Sequence, residues 1–451
     1  MDLELNTGDT AWMLTSAALV LLMTPGLAFF YGGMTRAKSV LNMMMMSFSA
    51  IGVVGIIYVL WGYSASFGTD ILGEDVAGFY GNPFEFWALH GLLPSADDEL
   101  GLQNSLLTGV PAVVVVAFQM TFAIITVALI SGSIADRVKF STWLVFSGIW
   151  VTLVYFALAH AVWGGGFLSA NGPFGSMFEG VEPIDFAGGT VVHINAGIAG
   201  LVLAIIIGKR KGFGKDPMKP HNLPFVMLGA GLLWFGWFGF NAGSAGAANA
   251  TAGLAWVNTT VATCAAMLGW LIVERIRDGH ATSLGAASGV VAGLVAITPA
   301  AGALDPVGSI FLGVVAGVLT ALAVGLKYKL GYDDSLDVVG VHFVGGLWGT
   351  VGIGLFATET GLFYGGGIGQ LVVQTLVALV AVIFTGVLTL IIGLALKYTM
   401  GWRISEEAEV EGIDVTTHGE SAYDFEPAPG SGVTGVPTGA HHATKTQEVK
   451  A

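Results

Sequence analysis

Apolar runs of about 20 residues recur from Ala11 to Leu396, separated by short polar loops. Each run is long enough to cross a hydrocarbon core of roughly 30 Å as a helix. Charged residues make up 11% of the 451, against about 25% in a soluble domain. The period-two alternation of a barrel strand is absent, so the fold class is an all-α integral membrane protein. The 67 glycines suit a bilayer, where close packing of small residues drives helices together. Cys264 is the single cysteine, so neither a disulfide framework nor a cysteine metal site is expected. The acidic start, Met1 to Thr10, lacks the basic region of a cleaved leader, and the first apolar run is expected to stay as a helix.

Eleven transmembrane helices are expected, at 10–31, 40–67, 104–134, 141–164, 186–208, 223–242, 252–273, 282–300, 306–326, 336–357 and 368–397. With this number, all 17 Lys and Arg residues fall on one side. They are Arg36, Lys38, Arg137, Lys139, Lys209, Arg210, Lys211, Lys215, Lys219, Arg275, Arg277, Lys327, Lys329, Lys397, Arg403, Lys445 and Lys450. Basic loops stay cytoplasmic, so the N-terminus is expected outside, the C-terminus inside, and the location is the cell membrane. One span more or fewer would scatter these charges.

An internal repeat fixes the plan further. Asp185 to His193 opens the fifth span and Asp334 to His342 opens the tenth. Each His stands eight residues after an Asp, with glycines four and seven residues on (Gly197, Gly200; Gly346, Gly349). The two spans enter from opposite faces, so the chain reads as two inverted five-helix repeats plus an eleventh helix, a plan that places sites near the bilayer midplane. Residues 1–400 form the transmembrane domain. Residues 401–425 are expected to order on the cytoplasmic face, and 426–451, rich in Pro, Gly, Thr and Ala, to be disordered.

Eight helical residues carry each His roughly 12 Å inward, so His193 and His342 are expected to meet mid-membrane. A titratable side chain there is costly and marks function. Two lone histidines are too few for a zinc site, and no cofactor is implied. Asp185 reads as a helix cap or a cation site, and the following Phe-Ala-Gly-Gly-Thr favours the cap. Phe118 and Phe122 share a helix face, Trp163 precedes three glycines, and Trp237 to Ser244 closes the sixth span. Singly these are core or interfacial aromatics. Together they suit a cation–π cage for a small cation. His160 reads as a surface histidine of the vestibule. Asp70, Glu74, Asp75, Glu85, Asp97, Asp98 and Glu99 crowd the loop after the second span, where they either concentrate cations or keep the loop soluble. A net charge of −14 argues against nucleic acid. No nucleophile–base arrangement points to an enzyme.

Asp185-Phe-Ala-Gly-Gly-Thr-Val-Val-His193-Ile-Asn-Ala-Gly strongly resembles the signature of the ammonium transporter family (Amt/Mep/Rh). So do Phe118-Gln-Met-Thr-Phe122, Trp237-Phe-Gly-Phe-Asn-Ala-Gly-Ser244, Lys219-Pro-His-Asn-Leu-Pro224, Thr298-Pro-Ala, Asp337-Val-Val-Gly-Val-His342, and the tail from Gly401-Trp-Arg to Tyr423. The resemblance spans residues 8 to 425 in order and is of the prokaryotic Amt type. It implies a homotrimer with one pore per subunit, taking ammonium or methylammonium. It implies an outer substrate site at Phe118, Trp163 and Ser244 with Tyr155 close by, and a stacked gate of Phe122 and Phe240. His193, His342 and Thr298 would line the lumen, and Asp185 would support the outer site. A PII-family regulatory protein at the cytoplasmic face is a further implied partner. The rival role is an ammonium sensor that uses the same pore with a signalling tail.

Overall fold

The computed structural model describes residues 4–73, 76–216 and 218–423. Glu74, Asp75, Lys445, Lys450 and the 426–451 tail lie outside the described residues. Helices dominate, and the extended pairings among the described residues are isolated bridges such as Asp70–Gly81 and Leu304–Ala357. Among the described residues, ten helices are long and apolar enough to cross a membrane: α1 (Thr7–Met34), α2 (Ala37–Phe67), α3 (Ala112–Ile134), α4 (Phe140–Trp163), α5 (Gly189–Ile207), α6 (Leu223–Gly243), α7 (Ala250–Asp278), α9 (Pro306–Leu330), α10 (Val339–Phe356) and α11 (Gly369–Thr399). The eighth apolar run, α8 (Ser283–Ile297), has 15 residues, about 22 Å of helix. It is buried from Ala287 to its end, so its C-terminus meets protein, and turns at 298–304 carry the chain on. A short α12 (Glu406–Glu411) follows.

The boundaries follow local chemistry. Asn6, Asn222, Asn249, Thr282 and Asp305 accept amides at the starts of α1, α6, α7, α8 and α9, as N-caps do. The third helix begins at Ala112 rather than 104, because Pro111 and the left-handed Gly109 turn the chain into an outer loop that is itself apolar.

Packing reproduces the repeat. The second helix of each half packs on the third and fourth: α2 on α3 and α4, α7 on α8 and α9. The first helices, α1 and α6, lie against each other, and so do the fifths, α5 and α10. The α7–α9 contact is close because a Cβ on Gly313 or Gly317 would come within 2.3 or 2.1 Å of the Ala262 and Ala266 carbonyl oxygens. Small residues at this spacing let backbones touch in an apolar solvent. The α11 stripe Leu379, Ile383, Val387, Leu390 and Ile391 faces outward, as a surface met by lipid would.

The cations gather at one end. Arg36 pairs with Asp136 at 3.1 Å, and Arg210 grips Asp333 through Nε and Nη2 at 2.9 Å each while its amide donates at 2.7 Å. Burial alone would lift the Asp333 carboxyl, but the Arg210 bonds and the Arg137 charge hold it below the usual carboxylate range. Fully buried Arg137 donates to the carbonyls of Ala135, Ser133 and Asp333 and to Ser335 Oγ. Desolvation pulls its guanidinium down to about 10, still charged at neutral pH. Residues 401–423 pack on this end: Asp414 accepts the Leu41 and Asn42 amides at 3.0 and 2.8 Å, Glu409 bonds Arg403 and the Lys211 amide, and the Trp402 indole donates to Gly393 O.

Candidate functional site

Two side chains crossing from opposite ends define the centre. His193 and His342 both lie in wide turns, Gly189–Ile194 and Val339–Phe343, of the kind often found at functional sites. Their Nδ1 atoms are 3.2 Å apart, and both rings are buried. Two N–H groups cannot face each other at that distance, so one ring donates and the other accepts. His193 Nε2 is buried with no hydrogen-bond partner among the described residues. The repeat's glycines make the approach possible in a reciprocal way. A Cβ on Gly346 would lie 2.9 Å from His193 Cβ, and one on Gly197 would lie 2.5 Å from Phe343.

The wide turns are held by carboxylates at equivalent positions. Asp185 accepts the Gly188 and Gly189 amides on Oδ1 (2.8 and 2.6 Å) and the Thr190 and Val191 amides on Oδ2 (2.9 and 3.1 Å). Asp334 accepts the Val338 and Val339 amides and the Ser133 hydroxyl. Of the two readings of Asp185, the cap matches this geometry, since each oxygen already accepts two amides. The Asp185 carbonyl also accepts the Trp163 indole N–H at 2.8 Å, so one residue fixes both the histidine turn and an aromatic of the outer site.

Above the histidines, Phe122 and Phe240 stack at 4.1 Å with 16° between planes. Phe118 lies 4.8 Å from Phe122, and Trp163 meets Phe122 edge-on at 6.0 Å. An outer cavity of about 190 Å³ opens over this stack, and its wall includes Phe118, Gln119, Phe122, Trp163, Phe186 and Ser244. Ser244 Oγ donates to Phe240 O at 2.7 Å. Tyr155 is buried in the turn Val151–Tyr155 and is not among the residues lining that cavity.

Below the stack lies an enclosed chamber of about 10 Å³, walled by His193, His342, Trp237, Phe240 and aliphatic side chains that include Ile125 and Leu129. That is near the room one water-sized molecule needs. Trp237 was not among the expected pore residues, yet its indole stacks on His193 at 5.4 Å. The signal was present: Trp237 sits three residues before Phe240 and seven before Ser244, on one helix face. Thr298 stands behind it, accepting the Trp237 N–H at 2.8 Å and donating to Leu294 O, and reaches the chamber through that indole. His160, expected at the surface, is buried against Asp70. No metal-holding group of His, Cys, Asp and Glu occurs among the described residues.

The chain is similar to known proteins over nearly its whole length. The model of the Ammonium Transporter Family matches residues 11–423. An ammonium transporter of Mycobacterium tuberculosis (strain H37Rv) is 57% identical over 444 residues, covering 94% of this chain and 92% of the relative. One of Bacillus subtilis is 44% identical over 431 residues, covering 93% and 99%. Among solved structures, Saccharomyces cerevisiae Mep2 superposes with a TM-score of 0.77 at 32% identity, covering 90% of this chain and 92% of that one. A protein described as a Sensor Amt Protein superposes with a TM-score of 0.79 at 27% identity, covering 91% and 98%. With its family match nearly end to end and its stacked phenylalanines over paired histidines, this chain belongs to the ammonium transporter family.

Proposed function

We propose that this transporter takes ammonium from the outer cavity, strips its water against aromatic faces, and passes ammonia through the histidine chamber. The observation that carries the reading is the sequence of sites along one path: an aromatic cavity, a stacked phenylalanine gate, and a chamber sized for one small molecule beside a buried imidazole nitrogen. An ammonium ion keeps company with ring faces worth about 0.5–2 kcal/mol each, and it loses that advantage once neutral. Deprotonation at the gate therefore suits a cation site outside and an apolar chamber inside. The proton leaves outward or crosses separately along the imidazoles. An ammonium pulse given to purified protein in liposomes tests the reading. Net current means the proton crosses too, uptake without current means ammonia crosses alone, and neither would leave the chain a sensor.

Trp163→Leu tests the outer site. It should raise the methylammonium KM by about two- to thirtyfold, the equivalent of one lost cation–π contact, and weaken discrimination against potassium. Unchanged concentration dependence would leave Trp163 an interfacial anchor.

Eleven crossings, with α8 counted as one, keep the N-terminus outside and the C-terminus inside. The gathering of Arg36, Arg137, Arg210, Lys211 and Arg403 at one end supports this, because basic loops stay cytoplasmic. A reporter active in the cytoplasm should work when fused after Arg403 and stay silent in the 70–99 loop; the reverse result overturns the orientation.

The family resemblance extends the proposal to a homotrimer and to a PII-type partner at the basic face, which a sizing measurement and a pull-down with purified PII protein would test. Residues 401–423 would couple that face to the pore through Asp414 at the start of α2. Deleting everything after Met400 should depress transport severalfold, whereas deleting from Pro427 should do little. Equal activity in the two would uncouple the segment from the pore.

A further inference from the structure

His160 has no place in the conduction path, yet it is 1% exposed and bonded through both ring nitrogens. Nδ1 lies 3.3 Å from Ser66 O, at the outer end of α2, and Nε2 lies 3.2 Å from Asp70 Oδ2, in the loop beyond. The main chain of the same residue ends α4: His160 O accepts the Gly164 and Gly166 amides at 2.9 and 3.1 Å. The loop is tied in again next door, where Gly78 O accepts the Phe167 amide at 2.7 Å. The turn that presents Trp163 is thus clamped to the outer end of α2 through one imidazole.

We infer that His160 is a positioning residue for the outer cation site, holding Trp163 in place through a proton shared with Asp70; this rests on the reading of Trp163 as part of that site. The proton count follows from the partners. A peptide carbonyl and an ionised carboxylate only accept, and a neutral imidazole offers one N–H. Making both bonds requires one proton more, carried on the ring or on Asp70 and belonging to the pair. Without it, the one N–H serves a single partner, the other ring nitrogen faces an oxygen lone pair at 3.2 or 3.3 Å, and one arm of the clamp opens. The surrounding titratable groups do not replace that proton. Glu85 of the same loop accepts the Thr69 amide, and Asp185 spends its carboxylate on four amides. Tyr63, on α2, and Tyr155, on α4 itself, are buried phenols.

An asparagine at position 70 would satisfy a neutral ring, because its amide N–H donates to Nε2 while Nδ1–H donates to Ser66 O. The pair can therefore be tested by methylammonium uptake, read as KM and Vmax, in wild type, Trp163→Leu, His160→Phe and Asp70→Asn at acidic and alkaline external pH. His160→Phe should raise KM about five- to tenfold with Vmax little changed, within the loss that Trp163→Leu itself shows. Asp70→Asn should stay within about twofold of wild type at neutral pH, where the bond geometry is kept. The ratio of wild-type to Asp70→Asn KM should climb on the alkaline side, since substrate speciation cancels in the ratio. If Trp163→Leu raises KM and His160→Phe does not, the clamp is wrong and the outer site stands. If neither moves KM, the outer-site reading itself falls. Should His160→Phe fail to reach the membrane, the pH ratio decides alone, and a flat ratio overturns the inference.

Discussion

Replacing His193 or His342 by alanine should lower ammonium-dependent flux by about 100-fold, the scale on which positioned proton-transfer groups act, and relax selectivity against potassium. Assembly and the outer site should survive, because Phe122 keeps its stack on Phe240 and its edge contact with Trp163, even where Phe240 loses its 6.2 Å contact with the His193 ring. The effect is large because the two rings share one Nδ1–Nδ1 bond. Removing either leaves the other with a buried polar nitrogen unpaired, at about 1–3 kcal/mol, and breaks any proton path along both. Each single variant and the double should behave alike, as groups acting as a unit do. Additive losses, or full selective transport by His193→Ala, would make the histidines packing residues and remove the proposed path. The measurement is current and uptake in liposomes at matched protein density.

The second large effect is expected at Asp185. Asp185→Ala strands four amides that now end on one carboxylate. At about 1–3 kcal/mol for each group left unsatisfied, the loss should reach several kcal/mol even after the turn relaxes. Both the His193 turn and the Trp163 anchor rest on this residue, so transport should disappear and the detergent-solubilised protein should melt earlier. Asp185→Asn keeps one accepting oxygen and should fall between alanine and wild type in both measurements. A cation site would respond differently: the asparagine variant would lose substrate affinity with its melting point unchanged, and the capping role would then be wrong.

The histidines were legible because a polar ring in an apolar run is costly, and because the same Asp-to-His spacing occurs twice. Phe118, Phe122 and Phe240 were legible through helical spacing and family motifs. The role of Trp237 was not, since nothing in its neighbourhood says that an indole will lie on a histidine 44 positions away. Thr298 was placed on the wall from its motif, whereas its hydroxyl is taken by that same indole. His160 read as a surface residue because its partner Asp70 lies 90 positions earlier, beyond any local pattern. Hydropathy also overran the start of α3, because Leu106 and Leu107 are apolar loop residues. The wide turns at His193 and His342 have no signature in composition, although the carboxylates that cap them stand only three to six residues before the amides they accept.

The mutual seating of Gly197 on Phe343 and Gly346 on His193 has a bearing on how such a chain can be made. Neither half encloses a passage alone: the walls of the chamber come from α1, α3, α5, α6, α8 and α10. A partly synthesised chain that lacks α10 has the walls from α1, α3, α5, α6 and α8 but not His342, and the side that α10 covers stays open. The chamber is complete only after α10 has docked and the two rings have met.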